Sequence, residues 1–324
     1  MSASGGSKAI IAALVANLGI AVTKFVAYLL TGSSSMLAES IHSVADSGNQ
    51  GLLLVGGRRA KRAATPEHPF GYGRERYIYA FIVSIVLFSL GGLFALYEGW
   101  HKLQDPHPID EWKWVPIAVL LAAIVMESFS FRTAIVESNH VRGNQSWVQF
   151  VRHAKAPELP VVLLEDLGAL VGLVLALFGV SLTLITDDGT WDGIGTICIG
   201  VLLVVIAVVL ALETKSLVLG EGGTPEAVRR IETALLADES VERVIHMRTL
   251  HLGPDELLVA AKIAVRHDDT AAEVARAIDA AEVRVREAEP IARVIYLEPD
   301  LFRAGTEPVA EAARDGDDLV PPAR

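Results

Sequence analysis

The sequence predicts an all-α membrane domain of six transmembrane helices followed by a small α+β domain, and three observations support this fold class. Hydrophobic residues make up 52% of the 324 residues, more than an ordinary soluble domain carries. Apolar runs that mostly approach the length needed to cross about 30 Å of hydrocarbon lie near residues 9–30, 77–100, 114–126, 160–184 and 193–212. After Lys215 the sequence changes to mixed charge and shorter apolar patterns.

The first run, residues 9–30, is expected to stay in the mature chain as span one. It lacks a clear basic start and a small-residue cleavage site, and it is long enough to cross a bilayer. It is therefore interpreted as a transmembrane helix and not as a secretory signal.

Span two is predicted over residues 34–56, although this segment mixes apolar and polar side chains. Its polar residues are spaced i, i+3, i+7 and i+10, which places them on one stripe of a helix. They are Glu39, His42, Asp46 and Asn49. Span two thus has one polar face.

Basic residues predict the orientation of the spans, because cytoplasmic loops carry the excess of Lys and Arg. The loops after spans two and four hold Arg58, Arg59, Lys61, Arg62, Arg74, Arg76, Arg132, Arg142, Arg152 and Lys155. The alternate loops hold only Lys102 and Lys113, and the loop near Asp187, Asp188 and Asp192 is acidic. Both termini are therefore expected in the cytoplasm, and compact loops with an Ala/Val/Arg-rich composition favour a bacterial inner membrane.

The soluble part is predicted to have the order α-β-β-α-β, with helices on one face of a sheet. Thr224 followed by Pro225 is typical of an N-cap with proline in the first turn. Two strands, a helix and a third strand are expected at 241–251, 256–265, 270–287 and 291–298. The predicted domain bounds are 8–216 for the transmembrane domain, 224–300 for the soluble domain and 303–324 for a disordered tail.

Ionisable residues inside spans two and five indicate a metal site. Such a group near the bilayer centre costs at least about 2.5 to 3.5 kcal/mol, so its presence calls for a function. His42 and Asp46 lie one turn apart on one helix face, and span five adds Glu165 and Asp166. Imidazole with carboxylates suits Zn²⁺, Mn²⁺, Fe²⁺ or Co²⁺. The alternative is that these groups only form hydrogen bonds between helices.

Glu165 and Asp166 cannot both face one point, because successive helical residues are rotated by about 100°. Asp166 is favoured as the ligand, and Glu165 as a second ligand or a proton carrier. Glu39 lies a turn from His42 and could line an exit path or make a helix contact. Lys24 on span one is expected to pair with a carboxylate or to snorkel.

Composition excludes other kinds of site. The single cysteine, Cys198, lies in the last apolar run, so a disulfide or a thiolate cluster is unavailable. With 39 acidic against 28 basic residues and no dominant basic tract, nucleic acid is not expected as a partner.

Taken together, these segments resemble the cation diffusion facilitator family. The resemblance is carried by SSSMLAESIHSVADSGNQ on span two, by HPFGYGRERYIYAFIVS leading into span three, by the acidic span five and by the α+β domain. It implies a six-helix exporter of Zn²⁺ and related divalent ions, commonly a proton antiporter. It also implies a homodimer with a ferredoxin-like cytoplasmic domain, and it matches His42, Asp46 and Asp166 to metal ligands.

The chain departs from the usual family pattern at two places. Val162 stands four residues before Asp166, where a His or Asp is usual, and Glu165 is adjacent to Asp166 instead. This is similar to the branch that includes the vertebrate zinc transporter 9 type. Tyr72 stands where some members carry a histidine, so no full accessory zinc site is expected in that loop.

The expected function is efflux of a divalent cation, Zn²⁺ first and Mn²⁺, Fe²⁺ or Co²⁺ as alternatives, by alternating access coupled to protons. The partners expected are the cation, protons, the lipid bilayer and a second copy of the chain, with no prosthetic group. An enzyme is disfavoured, because the sequence has no HExxH-like pair. A non-transporting membrane scaffold that presents the soluble domain is the remaining alternative, and it leaves the intramembrane charges unexplained.

Overall fold

The computed structural model describes residues 18–110 and 112–303. They form two compact units, of which the first extends to Glu221 and includes Leu252–Pro254, and the second contains Gly222–His251 and the chain from Asp255 onwards. The predicted tail lies outside the described residues from position 304, as does the beginning of the predicted first span.

Long helices build the first unit. They are α1 Leu18–Thr31, α2 Ser34–Arg59, α3 Glu75–Gln104, α4 Trp114–Arg142, the short α5 Trp147–His153, α6 Glu158–Thr186 and α7 Thr190–Leu219. Within the described residues, α3, α4, α6 and α7 are both long and apolar enough to cross a membrane. The helical membrane region is thus confirmed, whereas the count of six spans stays a prediction. The short helix α5 has no counterpart in the predicted elements.

Glycines bring α3 and α7 into close contact. A Cβ atom added at Gly99 would lie 2.7 Å from Ile197 Cγ1, and one added at Gly200 would lie 2.7 Å from the backbone nitrogen of Leu96. Neither distance leaves room for a side chain. Small residues therefore set this helix spacing, as is usual between helices in lipid.

The turn between α1 and α2 is held by two charged residues from other helices. Asp192, fully buried on α7, accepts hydrogen bonds from the Ser34 backbone nitrogen at 2.7 Å and the Ser33 hydroxyl at 3.1 Å. Lys102 on α3 donates to the Gly32 carbonyl at 3.1 Å. A carboxylate satisfies the free N–H groups at a helix start and suits its dipole. The sequence predicts that Asp192 belongs to an acidic loop, whereas in the structure it caps the start of α2.

The second unit has the predicted element order. Its elements are α8 Pro225–Leu235, β1 Arg243–Gly253, β2 Glu256–Ala264, α9 Ala271–Ala288 and β3 Ala292–Asp300. The strands are ordered β1-β2-β3, and β2 pairs with β3 in parallel, with Val259 opposite Ile295. The small α+β domain is confirmed, and its ferredoxin-like identity stays a prediction.

The core of the second unit lies between the helices and the sheet. Ile231 and Leu235 of α8, Val259 of β2 and Val285 of α9 are buried together in it. Thr224 caps α8 as expected, with its hydroxyl accepting from the Ala227 backbone nitrogen at 3.2 Å.

Candidate metal centre

The polar stripe of α2 faces the other helices of the first unit. Glu39, His42 and Asn49 are almost fully buried, and the side chain of Asp46 is 20% exposed. The helix accommodates them because its apolar residues occupy other faces, with Val44 half exposed. Three of the four residues of the predicted stripe are therefore buried inside the first unit.

His42 and Asp46 are adjacent but are not joined by a hydrogen bond. His42 Nε2 lies 3.5 Å from Asp46 Oδ2, which is within ion-pair distance. Both ring nitrogens of His42 and the Oδ1 atom of Asp46 are nevertheless buried and have no hydrogen-bond partner among the described residues. Buried polar atoms are rarely left in this state, because losing solvation without a partner costs about 1–3 kcal/mol. These atoms are open to a ligand.

The wall opposite His42 is a π-helical segment of α3, Leu87–Leu93. A Cβ atom at Gly91 would lie 3.6 Å from His42 Nδ1 and 3.3 Å from Leu203 Cδ1. The absence of a side chain at Gly91 therefore leaves space on the Nδ1 side of the imidazole. π-helical turns of this kind occur frequently at functional sites.

Glu165 and Asp166 on α6 contact two different helices. Glu165 Oε1 accepts a hydrogen bond of 2.7 Å from the Asn49 amide on α2. Asp166 Oδ2 accepts one of 2.9 Å from the Ser130 hydroxyl on α4. Both carboxylates lie within electrostatic range of Asp46. The predicted divergence of these two neighbours is confirmed.

The four predicted ligands do not converge on one point in this conformation. Within residues 18–110 and 112–303, no group of three or more His, Cys, Asp or Glu side chains is close enough to hold a metal ion. His42 and Asp46 form one half of the predicted site, and Glu165 with Asp166 forms the other. The ligand set His42, Asp46, Asp166 and Glu165 stays a prediction.

Lys24 pairs with a carboxylate, which is one of the two roles that the sequence predicts for it. Its ammonium lies 2.9 Å from Glu39 Oε2 and donates to the Ser43 hydroxyl at 2.9 Å. Both charged side chains are almost completely buried. The second carboxylate oxygen, Glu39 Oε1, has no hydrogen-bond partner within the part of the chain that the structure describes.

Glu127 is an ionisable residue of α4 that the predicted ligand set does not include. It lies near the middle of α4, within electrostatic range of Asp166 and Asp46. Its spacing of three residues from Ser130 puts both on one helix face. This spacing is the sequence pattern from which Glu127 could have been placed near the site.

Comparisons with known proteins show which family the chain resembles. Residues 10–219 match the family described as the cation efflux transmembrane domain, and this match ends with α7. The human protein named proton-coupled zinc antiporter SLC30A9, mitochondrial, is 31% identical over 264 residues, which is 80% of this chain and 46% of the relative. This chain therefore spans less than half of the human relative.

Two further relatives extend the comparison to plants and bacteria. Metal tolerance protein C4 of Arabidopsis thaliana is 26% identical over 258 residues, 79% of this chain and 56% of the relative. Zinc transporter ZitB of Pectobacterium atrosepticum is 33% identical over 124 residues, 38% of each chain. The resemblance drawn from the span-two and loop motifs, including the zinc transporter 9-like branch, is confirmed.

Proposed function

The chain belongs to the cation efflux family, and on that premise we propose that it exports divalent metal cations by alternating access, with Zn²⁺ as the main substrate. Mn²⁺, Fe²⁺ and Co²⁺ are the alternative substrates, because the same imidazole and carboxylate donors suit them. The relatives named as zinc transporters support the choice of Zn²⁺.

One observation carries the proposal. Two imidazole nitrogens of His42 and one carboxylate oxygen of Asp46 are buried side by side inside a helical membrane unit, and residues 18–110 and 112–303 give them no hydrogen-bond partner. Neutral imidazole and ionised carboxylate are common Zn²⁺ ligands. A divalent cation that prefers imidazole and carboxylate donors would be the partner that these three atoms lack among the described residues.

Proton coupling follows from the same donors. A histidine must be neutral and a carboxylate ionised before either can bind metal, so metal binding releases protons and protonation releases metal. We propose that protons entering from the outside drive export in this way. The human relative named a proton-coupled antiporter supports the coupling.

Alternating access would bring the two halves of the site together. In the structure, the Asn49 amide donates to Glu165 and the Ser130 hydroxyl donates to Asp166. The two carboxyl groups of α6 thus have hydrogen-bond partners, whereas the ring nitrogens of His42 and the Oδ1 atom of Asp46 have none among the described residues. We propose that metal binding exchanges the Ser130 bond of Asp166 for a bond to the ion. Glu165 then assists as a further ligand or as a proton carrier.

The wider architecture in this proposal is the one that the family resemblance implies. It has six spans in a homodimer, a ferredoxin-like cytoplasmic domain, and both termini on the cytoplasmic side of a bacterial inner membrane. Loops rich in Lys and Arg support that orientation. The proposal assigns no chemical reaction and no prosthetic group, in line with relatives that are named as transporters.

The test is ion flux into proteoliposomes that hold the purified full chain, for Zn²⁺, Mn²⁺, Fe²⁺ and Co²⁺, with and without a pH gradient. His42→Ala, Asp46→Asn and Asp166→Asn are each expected to lower Zn²⁺ affinity about a hundredfold or more, since even the loss of a partner of a ligand costs 10- to 100-fold. His107→Ala is the matched control, because His107 is exposed in a loop.

Flux that responds to the gradient and is lost in the three variants, but not in the control, supports the exchanger. Flux that survives unchanged in both His42→Ala and Asp46→Asn overturns the proposed site. Neither flux nor binding for any ion would favour the membrane scaffold.

A further inference from the structure

The buried pair formed by Lys24 and Glu39 is not needed to explain the site at His42 and Asp46. It joins α1 to α2 inside the membrane unit, where a charged group is costly unless it is paired. An apolar contact of the same size would hold two helices together at least as well as a buried ion pair. The pair therefore calls for a function of its own.

Glu39 is only half satisfied. The Lys24 ammonium lies 2.9 Å from Oε2, while Oε1 is buried and no described residue forms a hydrogen bond with it. Ser43, one turn along the same helix, receives a second ammonium hydrogen bond at 2.9 Å. The carboxylate and the hydroxyl thus form an oxygen cradle around a positive charge.

The free side of Glu39 faces α6 at a position without a side chain. A Cβ atom at Gly172 would lie 2.9 Å from Glu39 Oε1. A larger residue there would fill the space beside the unpartnered oxygen. Gly172 lies seven residues after Glu165, two turns along the same face of α6.

These positions describe a track between α2 and α6. At one end Asn49 bonds to Glu165, and at the other Glu39 approaches Gly172. His42 and Asp46 lie between the two ends on α2. A cation that leaves His42 toward the start of α2 meets Glu39 one turn later.

We propose that Glu39, with Ser43, is a second cation-binding station on the path from the His42 and Asp46 site, and that the Lys24 ammonium occupies it when no metal is there. This inference rests on the proposed function. Lys24 acts as a tethered cation that competes with the metal ion for Glu39. The competition lowers the affinity of this station for the metal ion, so an arriving ion is released and not trapped.

The test is equilibrium binding of Zn²⁺ to the purified full chain in detergent, measured as affinity and as ions per chain. In Lys24→Met the competitor is gone and the side-chain volume is nearly kept. We expect one additional ion bound per chain, since the loss of a nearby positive charge would by itself tighten binding at His42 and Asp46 without changing the number of ions. Lys24→Arg keeps a cation beside Glu39 and is expected to bind as the wild type does.

The double variant Lys24→Met/Glu39→Gln decides the case if the single variant does not fold, because it removes both charges and leaves no unpaired ion. We expect its Zn²⁺ affinity to stay within about twofold of the wild type, since His42 and Asp46 are intact, while its flux falls roughly tenfold. A purely structural ion pair would leave flux and affinity unchanged together.

Wild-type binding in a folded Lys24→Met, or wild-type flux in the double variant, overturns the inference and leaves the proposed exporter standing. If the wild-type chain itself binds no Zn²⁺, and His42→Ala changes nothing, the proposed function fails and the inference fails with it.

Discussion

The Asn49 amide on α2 donates a 2.7 Å hydrogen bond to Glu165 Oε1 on α6. It joins the polar face of one helix to the acidic position of the other, and both side chains are buried. A buried polar group that is left without its hydrogen-bond partner costs about 1–3 kcal/mol. The contact therefore holds the Glu165 carboxyl group against α2.

Replacing Asn49 with Leu is expected to lower Zn²⁺ flux by roughly tenfold or more, because Glu165 loses its hydrogen-bond donor on α2. Flux into proteoliposomes measures the effect. Ser47→Ala on the same helix is the control, since the Ser47 hydroxyl donates to the Ser43 carbonyl of its own helix. Equal flux in Asn49→Leu and in the control would contradict a role for the contact.

Asp192→Ala is expected to destabilise the membrane unit by about 3 kcal/mol, because the first N–H groups of α2 lose their buried acceptor. Unfolding in mixed detergent micelles measures this free energy. Asp187→Ala should change it by about 1 kcal/mol or less, since Asp187 is exposed and pairs with Lys113 at the surface. Similar losses in both variants would refute the capping role of Asp192.

Gly99→Ala is expected to cost about 1–3 kcal/mol through overpacking, because its Cβ atom would lie 2.7 Å from Ile197 Cγ1 and 2.8 Å from the Ile197 backbone nitrogen. Gly51→Ala is the matched control, with no atom within 4 Å of the added carbon. Alanine favours a helix over glycine, so the control should be neutral or slightly stabilising. The same unfolding assay compares the two, and a neutral Gly99→Ala would show that α3 and α7 can move apart freely.

The start of α9 is expected to loosen in acid. The backbone N–H of Thr270 at 2.7 Å, and then the Thr270 hydroxyl, lower the pKa of Glu273 from its ordinary value. A lowered pKa means that this stabilisation is present above the unfolded-state pKa and is lost as the pH falls through the folded-state pKa, hence below about pH 4.

Hydrogen exchange of the first turn of α9 in the full chain, followed from pH 6 to pH 3 and corrected for intrinsic rates, measures this loss. Glu273→Gln keeps a hydrogen-bond acceptor without a titrating charge, so its protection should not show the acid step. Thr270→Ala should weaken the turn at every pH, by about 1 kcal/mol, through loss of the N-cap. An acid step of equal size in Glu273→Gln would assign it to another group.

The sequence predicted which face of a helix a residue occupies wherever the periodicity of that one helix determines it. Helical spacing alone placed His42 and Asp46 on one face, and the rotation between neighbours separated Glu165 from Asp166. Asp192 was missed because its partners, Ser33 and Ser34, are about 160 residues away along the chain. No local pattern distinguishes a carboxylate that caps a distant helix from one in a solvated loop.

Helix α3 also shows why regular spacing fails at particular places. A π-helical turn contains more residues than an α-helical turn, so Leu87–Leu93 shifts the phase of everything that follows. The residues before this segment include Val83, buried in the core, and those after it include Gly99 against α7. A single regular period drawn through the whole helix would assign one of these two halves to the wrong face.

The π segment therefore makes α3 behave as two helices that share one axis and differ in rotational setting. A wider turn holds one residue more for nearly the same rotation, so deleting one residue between Leu87 and Leu93 would restore regular turns and leave the second half near its present setting. Gly99 and Lys102 would then stay close to Ile197 and the Gly32 carbonyl. A deletion elsewhere in α3 would instead turn the rest of the helix by about 100°, so the chain should tolerate the loss of one residue better inside this segment than outside it.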